Sequence, residues 1–580
     1  MSGRPARPAP GPDVEAVPHA AVGASALFRA YAAGDEAALR FYRWSPWRAS
    51  DRAEAARVAA ERARHRDAVA DVLAEQNAAW GADDAVLALV ERVRDPASVA
   101  VVTGQQLGLF AGPLYTVYKA RTAVRLAARL ASETGRPAVP VFWLADEDHD
   151  FAEVHRAAFA DGPDVRTVAY DDGRPAHDNA VPVGRIVLAE GATGRALAGL
   201  EAALPAGPHR AEALALARAA YVPGRTMRDA FARLLRALVP DVVLMSADDA
   251  RLKALAAPLL RRELAAWPET LAALEERSAA LVAAGFHAQV TPSPVNLFWL
   301  EDAAPPPPGG ADGRGGAETA GAQPAGAQTA GAGRRLALDP GGADGRFDVR
   351  GAGRSLTADD LAAAPPEHLS PNVVLRPLVQ DVLLPTAAYV AGPGEAAYFA
   401  QLGPVYDRFG VPMPVVEPRL SLTVVEPGVA KVLDRYELGL ADLGGDLAPL
   451  WRRFALAESD HDLDAAFADA RRRLGAALDD LEAVALGVGG ELDGASGAAR
   501  AAVAHAVDRL ETKTVRVEKR NHGAVRDRLA RAQAALWPGG ALQERALGPL
   551  GVVARHGVGA LRDLVDAVPL DASSHYVVRP

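Results

Sequence analysis

Between residues 99 and 154 the chain alternates short, unbroken apolar runs with tight polar punctuation. Residues 99–103 carry no charged side chain, the pattern of a strand buried on both faces. Gly104 ends that run. Gly108, Gly112 and Pro113 mark a sharp connection, with Pro113 suited to the first turn of a helix. Val117, Tyr118, Val124 and Leu130 then fall at roughly helical spacing. Residues 139–144 form a second apolar strand that runs straight into Asp146, Glu147, Asp148, His149 and Asp150. Strand, helix and strand at this spacing predict a βαβ crossover, whose ligands lie beyond the carboxyl ends of the strands. Thr103, Gly104, Gln105 and Gln106 are therefore expected to face the same crevice as the acidic run.

The flanking pattern extends this α/β reading. Residues 24–42 read as short helical pieces, and 50–80 as one long helix closed by Gly81. A short helix over 86–93 leads into the opening strand. Beyond the acidic run, strands are expected at 166–170 and 184–188, helices over 193–237, and a strand at 242–245. A helix over 251–267, another ending at Gly285, and strands at 287–291 and 296–300 follow. Residues 305–333 have almost no large side chain to bury and predict a flexible insertion. Past it, 373–379 are apolar around Arg376 and 387–391 predict a strand. Gly392-Pro393-Gly394 turns into a helix over 395–409, and 411–416 predict a strand running into Glu417, Pro418 and Arg419; this segment is placed in the same sheet as the opening unit.

From about residue 450 the period changes. Leu463, Phe467, Ala470, Leu474, Ala477, Leu481 and Ala485 alternate steps of four and three, as do Val503, Val507, Leu510, Thr514, Val517 and Asn521. A glycine-rich break at 487–497 makes them an antiparallel helical hairpin, packed either on its own core or against another chain. The predicted organisation is a disordered tail over 1–23, a core in two parts (24–304 and 334–425) around the 305–333 linker, a hairpin over 426–545, and a 546–580 segment returning to the core.

At 580 residues the chain is too long for one core. No apolar run approaches a membrane span, and the Pro-rich start MSGRPARPAPGPD lacks the apolar stretch of a signal peptide. The expectation is a cytoplasmic protein. Sixty-three basic against 73 acidic residues, a net charge of −10, argue against a nucleic-acid partner. The absence of cysteine removes disulfides, thiolate metal sites and a cysteine nucleophile together.

Familiar signatures are missing: there is no Gly-Lys pair for a phosphate loop and no His-Glu-x-x-His. Tyr115 and Lys119 match a Tyr-x-x-x-Lys spacing but follow the first strand with no dinucleotide loop upstream. Gly392 to Ala397 matches G-x-G-x-x-A, yet Pro393 lacks an N–H and Glu395 sets a negative charge where a phosphate would dock. The acidic run has three readings: a solvated turn, a site for Mg²⁺ or Zn²⁺, or a site for a substrate amine or hydroxyls. Carboxylates around His149 are expected to favour its charged form. Gln105, Gln106, Gly104, Gly112 and the helix from Pro113 suit a carboxylate or phosphate, with Lys119 either serving that anion or lying at the surface. Arg376, Gln380, Asp381 and Tyr398 are candidates from the far half of the sheet. Gly392, Gly394, Tyr115 and Arg419 complete the expected substrate-binding set.

These stretches resemble a known family. TGQQLGLFAGPLYTVYKA, PVFWLADEDHDFAEV, SPNVVLRPLVQDVLLPTAAYVAGPGEAAYFAQL, VPMPVVEPR and LWPGGALQER are similar to the bacillithiol-biosynthesis cysteine-adding enzymes, the BshC family, in the family's order along the chain. The resemblance implies a Rossmann-type core related to class I aminoacyl-tRNA synthetases, connective insertions, and a C-terminal coiled coil that forms a homodimer. It also implies a ligase that joins cysteine to the amine of glucosaminyl-malate, with ATP as co-substrate activating the cysteine carboxylate. On that reading Asp148 and His149 orient or deprotonate the amine, Arg376 steadies developing charge, and Gln105, Gln106 and Lys119 hold the anionic group. Neither His-x-Gly-His nor a lysine-rich synthetase loop is present, and no cysteine is available to place a thiol on zinc. A non-catalytic, dimeric nucleotide- or metabolite-binding scaffold and a tRNA-linked amino-acid transferase are the alternatives.

Overall fold

Runs of valine, alanine and phenylalanine lay down the strands around which the chain is built. A computed structural model describes residues 12–62, 64–175, 177, 180–301, 333–341, 345–457, 462–521 and 523–580. The linker expected at 305–333 lies outside them except for Gly333, as do residues 1–11 of the expected tail. The chain forms two units, one of Met1–Asp161, Val165–Val425 and Ala541–Pro580, the other of Gly162–Asp164 and Glu426–Gly540.

In chain order the strands are β1 Asp13–Val17, β2 Val99–Gln105, β3 Ala138–Leu144, β4 Arg156–Asp161, β5 Asp164–Ala169, β6 Val243–Ser246, β7 Leu297–Glu301 and β8 Arg334–Gly341. They continue with β9 Arg346–Val349, β10 Arg354–Thr357, β11 Leu369–Pro371, β12 Thr386–Ala391, β13 Val415–Pro418, β14 Leu422–Val424 and β15 His575–Arg579. The central sheet has the order β13-β12-β2-β3-β6, every neighbour parallel, so both halves of the predicted core do share one sheet. All seven residues of β3 and the first six of β2 are buried. Each large apolar side chain there contributes roughly 1.5–3 kcal/mol of burial. Helix Tyr115–Thr134 covers one face with Val117, Ala120, Ala123 and Leu126. A five-stranded sheet of order β10-β9-β8-β7-β11, antiparallel throughout, is the connective insertion, and β1-β15-β14 form a third sheet. This first unit is a Rossmann-like domain with a parallel sheet.

Several expectations are corrected. The tail expected over 1–23 is ordered from Asp13: β1 pairs antiparallel with β15, Asp13 opposite Arg579. The single helix expected over 50–80 is two, Ala49–Arg62 and Arg66–Ala79, because His65 takes φ 58° and turns the backbone. No strand forms at 184–188; the Val183 and Gly184 amides donate to the carbonyls of Asp148 and Asp146 instead of to a ladder. None forms at 287–291 either, and the two helices expected over 251–285 are one, Ala250–Ala283, running through Pro258 and Pro268. Residues 541–545 belong to the Rossmann-like unit rather than to the hairpin, since Gln543 bonds the backbone of Val424 and Glu544 bonds Arg419.

The second unit is helical. Leu463–Val488 and Asp493–Asn521 run antiparallel, with Arg471 bridging to Asp508 at 2.8 Å and Arg500 to Asp479 at 2.6 Å. Leu474, Leu481, Val484 and Leu510 of the two helices are exposed. Among the described residues no helix is long and apolar enough to cross a membrane.

Candidate functional site

The carboxyl ends of β2, β3 and β12, with Arg419 just past β13, open onto a cleft of about 1090 Å³. It is walled by Gly104, Gln105, Gln106, Tyr115 and Lys119 on one side and by Asp146, Glu147, Asp148, His149 and Asp150 on the other. Arg376, Gly392, Gly394, Tyr398 and Arg419 also line it. The two polar tips meet directly: the Gln106 amide Nε2 donates to Asp148 Oδ2 at 2.7 Å and to Glu153 Oε2 at 2.9 Å.

Not every expected residue arrives there. Thr103 is buried and donates its hydroxyl to the Val390 carbonyl at 2.9 Å, a tie between β2 and β12. Gly112 borders a separate hollow. Gln380 and Asp381 sit one turn along helix Arg376–Leu383, off the cleft. There Asp381 accepts from Gln380 Nε2 at 2.9 Å and from the Tyr406 hydroxyl at 2.6 Å, and burial lifts its carboxyl to about 7.

Lys119 is neither a surface lysine nor a free cation. It is 1% exposed, donates to the Gly104 carbonyl, and forms an ion pair with Glu395 at 2.6 Å. Burial lowers its affinity for a proton, opposed by Glu395. At Glu395 burial works upward, but Lys119, the Tyr389 hydroxyl at 2.7 Å and the Gly392 amide at 2.7 Å outweigh it and hold the carboxylate low. Glu395 thus folds back from the mouth of helix Pro393–Phe409. Arg376, by contrast, meets hydroxyls alone, Tyr398 at 2.8 Å and Tyr389 at 3.4 Å, and has no ion pair among the described residues. Burial penalises its charge, yet Tyr398, Tyr389 and Glu395 keep the guanidinium protonated. Tyr398 itself is pushed up to about 12 by burial.

The acidic tip is tied down residue by residue. Asp146 is buried and accepts from the Ser246 hydroxyl; burial, with Asp248 adding to it, pushes its carboxyl up to about 7. At Asp248 burial is overcome by the bidentate guanidinium of Arg185, at 2.7 Å to each oxygen, and by Lys253, so it falls to about 2. Glu147 pairs with Lys253, and Asp150 caps helix Phe151–Val154 through the Glu153 amide at 3.2 Å. Among the described residues no three His, Asp or Glu groups gather as metal ligands.

His149 departs from expectation. Its Nδ1 lies 3.2 Å from Arg335 Nη1, and an arginine only donates, so Nδ1 carries the lone pair and Nε2 the hydrogen. The ring is neutral in this arrangement and presents a donor, not a base. Burial and Arg335 lower its proton affinity, against the expected stabilisation of the charged form; Asp148 and Asp150 oppose them less strongly. Arg335 is the residue that sequence reading missed. It is fixed by the Ser370 hydroxyl at 2.9 Å and the Pro371 carbonyl at 2.6 Å, and stands over the Phe298 ring at 3.9 Å.

Arg419 is held from the C-terminal segment. Both oxygens of buried Glu544 take its guanidinium, at 2.9 and 2.6 Å, while its face lies over the Tyr115 ring at 5.3 Å. Gln105 Nε2 reaches the Tyr115 hydroxyl at 3.2 Å.

Comparison with known proteins agrees with this architecture. Residues 13–420 match the family described as bacillithiol biosynthesis BshC, N-terminal Rossmann-like domain, and residues 422–580 match its C-terminal coiled-coil domain. A protein of Salinibacter ruber is 40% identical over 567 residues, covering 97% of each chain. One from Symbiobacterium thermophilum is 32% identical over 96% of this chain and 98% of its own, and one from Chlorobaculum tepidum 30% identical over 90% of each. All three carry the name "Putative cysteine ligase BshC". With family matches running through the parallel-sheet core and the helical hairpin alike, the chain belongs to the BshC family of bacillithiol biosynthesis.

Proposed function

We propose that this chain is a ligase that joins the carboxylate of cysteine to the amine of glucosaminyl-malate, forming an amide. The observation that carries this reading is the Gln106–Asp148 contact, which sets an amide-rich tip and an acidic tip on one cleft in a chain whose relatives are named as cysteine ligases. Making an amide from a free carboxylate needs an activated leaving group, and ATP would supply that activation when bound. Arg376 fits the task of meeting its phosphates, since its charge has only phenol partners, and Glu395 is turned away onto Lys119. Asp148, held by Gln106, orients the incoming amine and takes its proton. His149 donates from Nε2 to a substrate oxygen. Lys119 fixes the Gly104 carbonyl and Glu395 rather than holding the anion itself.

Purified chain supplied with ATP, cysteine and glucosaminyl-malate is expected to yield the cysteinyl product by mass spectrometry, and Asp148→Asn to slow it about 100-fold or more. No product under conditions where a producing cell extract makes it, or full activity in Asp148→Asn, overturns the reading. RNase treatment leaves product formation unchanged if no tRNA takes part.

The exposed Leu474, Leu481, Val484 and Leu510 are assigned to contact with a second copy of the chain. Light scattering is expected to give a dimer that Leu481→Glu with Leu510→Glu weakens; a monomeric wild-type chain at micromolar concentration sinks that assignment.

A further inference from the structure

Beside the main cleft lies a second hollow of about 300 Å³ that shares Gln105, Gln106, Tyr115 and Arg545 as common walls. Its far side is backbone. Gly108 and Gly112 are pressed together so closely that a Cβ on Gly108 would stand 2.6 Å from the Gly112 Cα. The Leu114 amide donates to the Leu547 carbonyl at 2.8 Å and the Gly548 amide to Ala158 at 2.9 Å, which seats the 543–548 segment against both neighbours.

The charges around this hollow do not cancel. Glu153 accepts from Gln106 Nε2. Arg156 donates through Nε to His155 Nε2 at 3.0 Å, leaving its terminal nitrogens open. Arg545 has no side-chain hydrogen bond or ion pair among the described residues; its side chain is exposed and lines both cavities. The carboxylate next to it in the chain cannot serve: both oxygens of Glu544 are taken by Arg419, with the Ser421 hydroxyl and the Leu422 amide adding to them. A guanidinium at a cavity wall with no protein acceptor presents a two-pronged donor matched to a carboxylate. The hollow has room for a short diacid and, through Gln105 and Tyr115, opens onto the main cleft.

We propose that this side pocket binds a short-chain dicarboxylate through Arg545, supported by Arg156, and that it holds the malyl end of the amine substrate while the sugar amine reaches Asp148. The second part rests on the ligase reading; the first does not. Arg545 lies in the LWPGGALQER stretch, so the pocket gives that stretch a chemical task.

Isothermal titration with L-malate alone tests the pocket without turnover. Wild-type protein is expected to bind malate, Arg545→Met to lose about 10- to 100-fold, the range of a charge-assisted hydrogen-bond pair, and Arg545→Lys, which keeps the charge but not the fork, to fall between the two. Thermal unfolding of Arg545→Met reports whether it is folded; if it is not, Arg156→Met, expected to weaken malate several-fold, serves in its place. Absence of malate binding to the wild type, or binding that both variants leave unaltered, overturns the pocket. In turnover, Arg545→Met is expected to raise KM for glucosaminyl-malate far more than it lowers kcat, and to change the reaction with glucosamine little. An equal loss with both amines overturns the placement of the malyl end. Malate binding that depends on Arg545 in a protein with no ligase activity keeps the pocket and removes the ligase reading.

Discussion

Lys119→Met will lower the unfolding free energy by about 3–5 kcal/mol, the cost of stranding one member of a buried ion pair. The lysine is enclosed, and its partner Glu395 would be left with only the Tyr389 hydroxyl and the Gly392 amide to satisfy a desolvated charge. Product formation should vanish as well, because the same ammonium bonds the Gly104 carbonyl and Gln105 Oε1 where β2 enters the cleft. Adding Glu395→Gln to Lys119→Met should return most of the lost stability but little of the activity. Chemical denaturation followed by circular dichroism checks both; a single variant within about 1 kcal/mol of wild type would show that the pair is not the anchor described.

Asp146→Asn should reshape the dependence of stability on pH. The Asp146 carboxyl is pushed up from 3.8 to about 7 by burial and by Asp248, so the folded chain binds its proton more tightly than the unfolded chain. Stability from this group is fully present below about pH 4 and lost as pH rises through 7. An asparagine cannot ionise and can still meet the Ser246 hydroxyl. The variant should therefore gain on the wild type between pH 4 and 7 by an amount on the order of a few kcal/mol. Asp248, depressed to about 2 by Arg185 and Lys253 against its burial, loses its contribution only as pH falls through that value, below the window. Asp381 and Glu417 are also raised to about 7 by burial, so a slope remains in both proteins and the difference between them is the quantity to read. Thermal unfolding of the two proteins at pH 5 and pH 8 measures it. A difference that stays flat or falls with pH contradicts the buried, proton-holding Asp146.

The strands at the centre were legible because burial on both faces demands unbroken apolar runs, as at Val101, Val102, Val139 and Val141. The meeting of Gln106 with the acidic tip followed from the parallel crossover alone. Side-chain direction was not legible. One turn of helix separates Arg376, which lines the cleft, from Gln380, which is packed in the core, and no periodicity argument distinguished them. Arg335 escaped notice because an arginine beside a low-complexity stretch reads as surface; only the return of β8 against β7 buries it over Phe298. Local strand propensity also misled at 184–188, where the backbone is spent on the carbonyls of Asp146 and Asp148. His149 is the instructive case: counting nearby carboxylates favoured a cation, and a single guanidinium at its Nδ1 reverses that.

The Arg419–Glu544 bond joins residues 125 positions apart, with the whole Glu426–Gly540 helical unit between them. A ribosome must therefore translate that entire insert before the guanidinium beside Tyr115 meets its carboxylate. Until then the nascent Rossmann-like sheet carries an unneutralised cation and lacks the partner strand for β1. Such long sequence separation slows folding through the entropy of closing the loop. Nascent chains arrested before residue 541 should accordingly be the protease-sensitive, chaperone-dependent species in the life of this molecule.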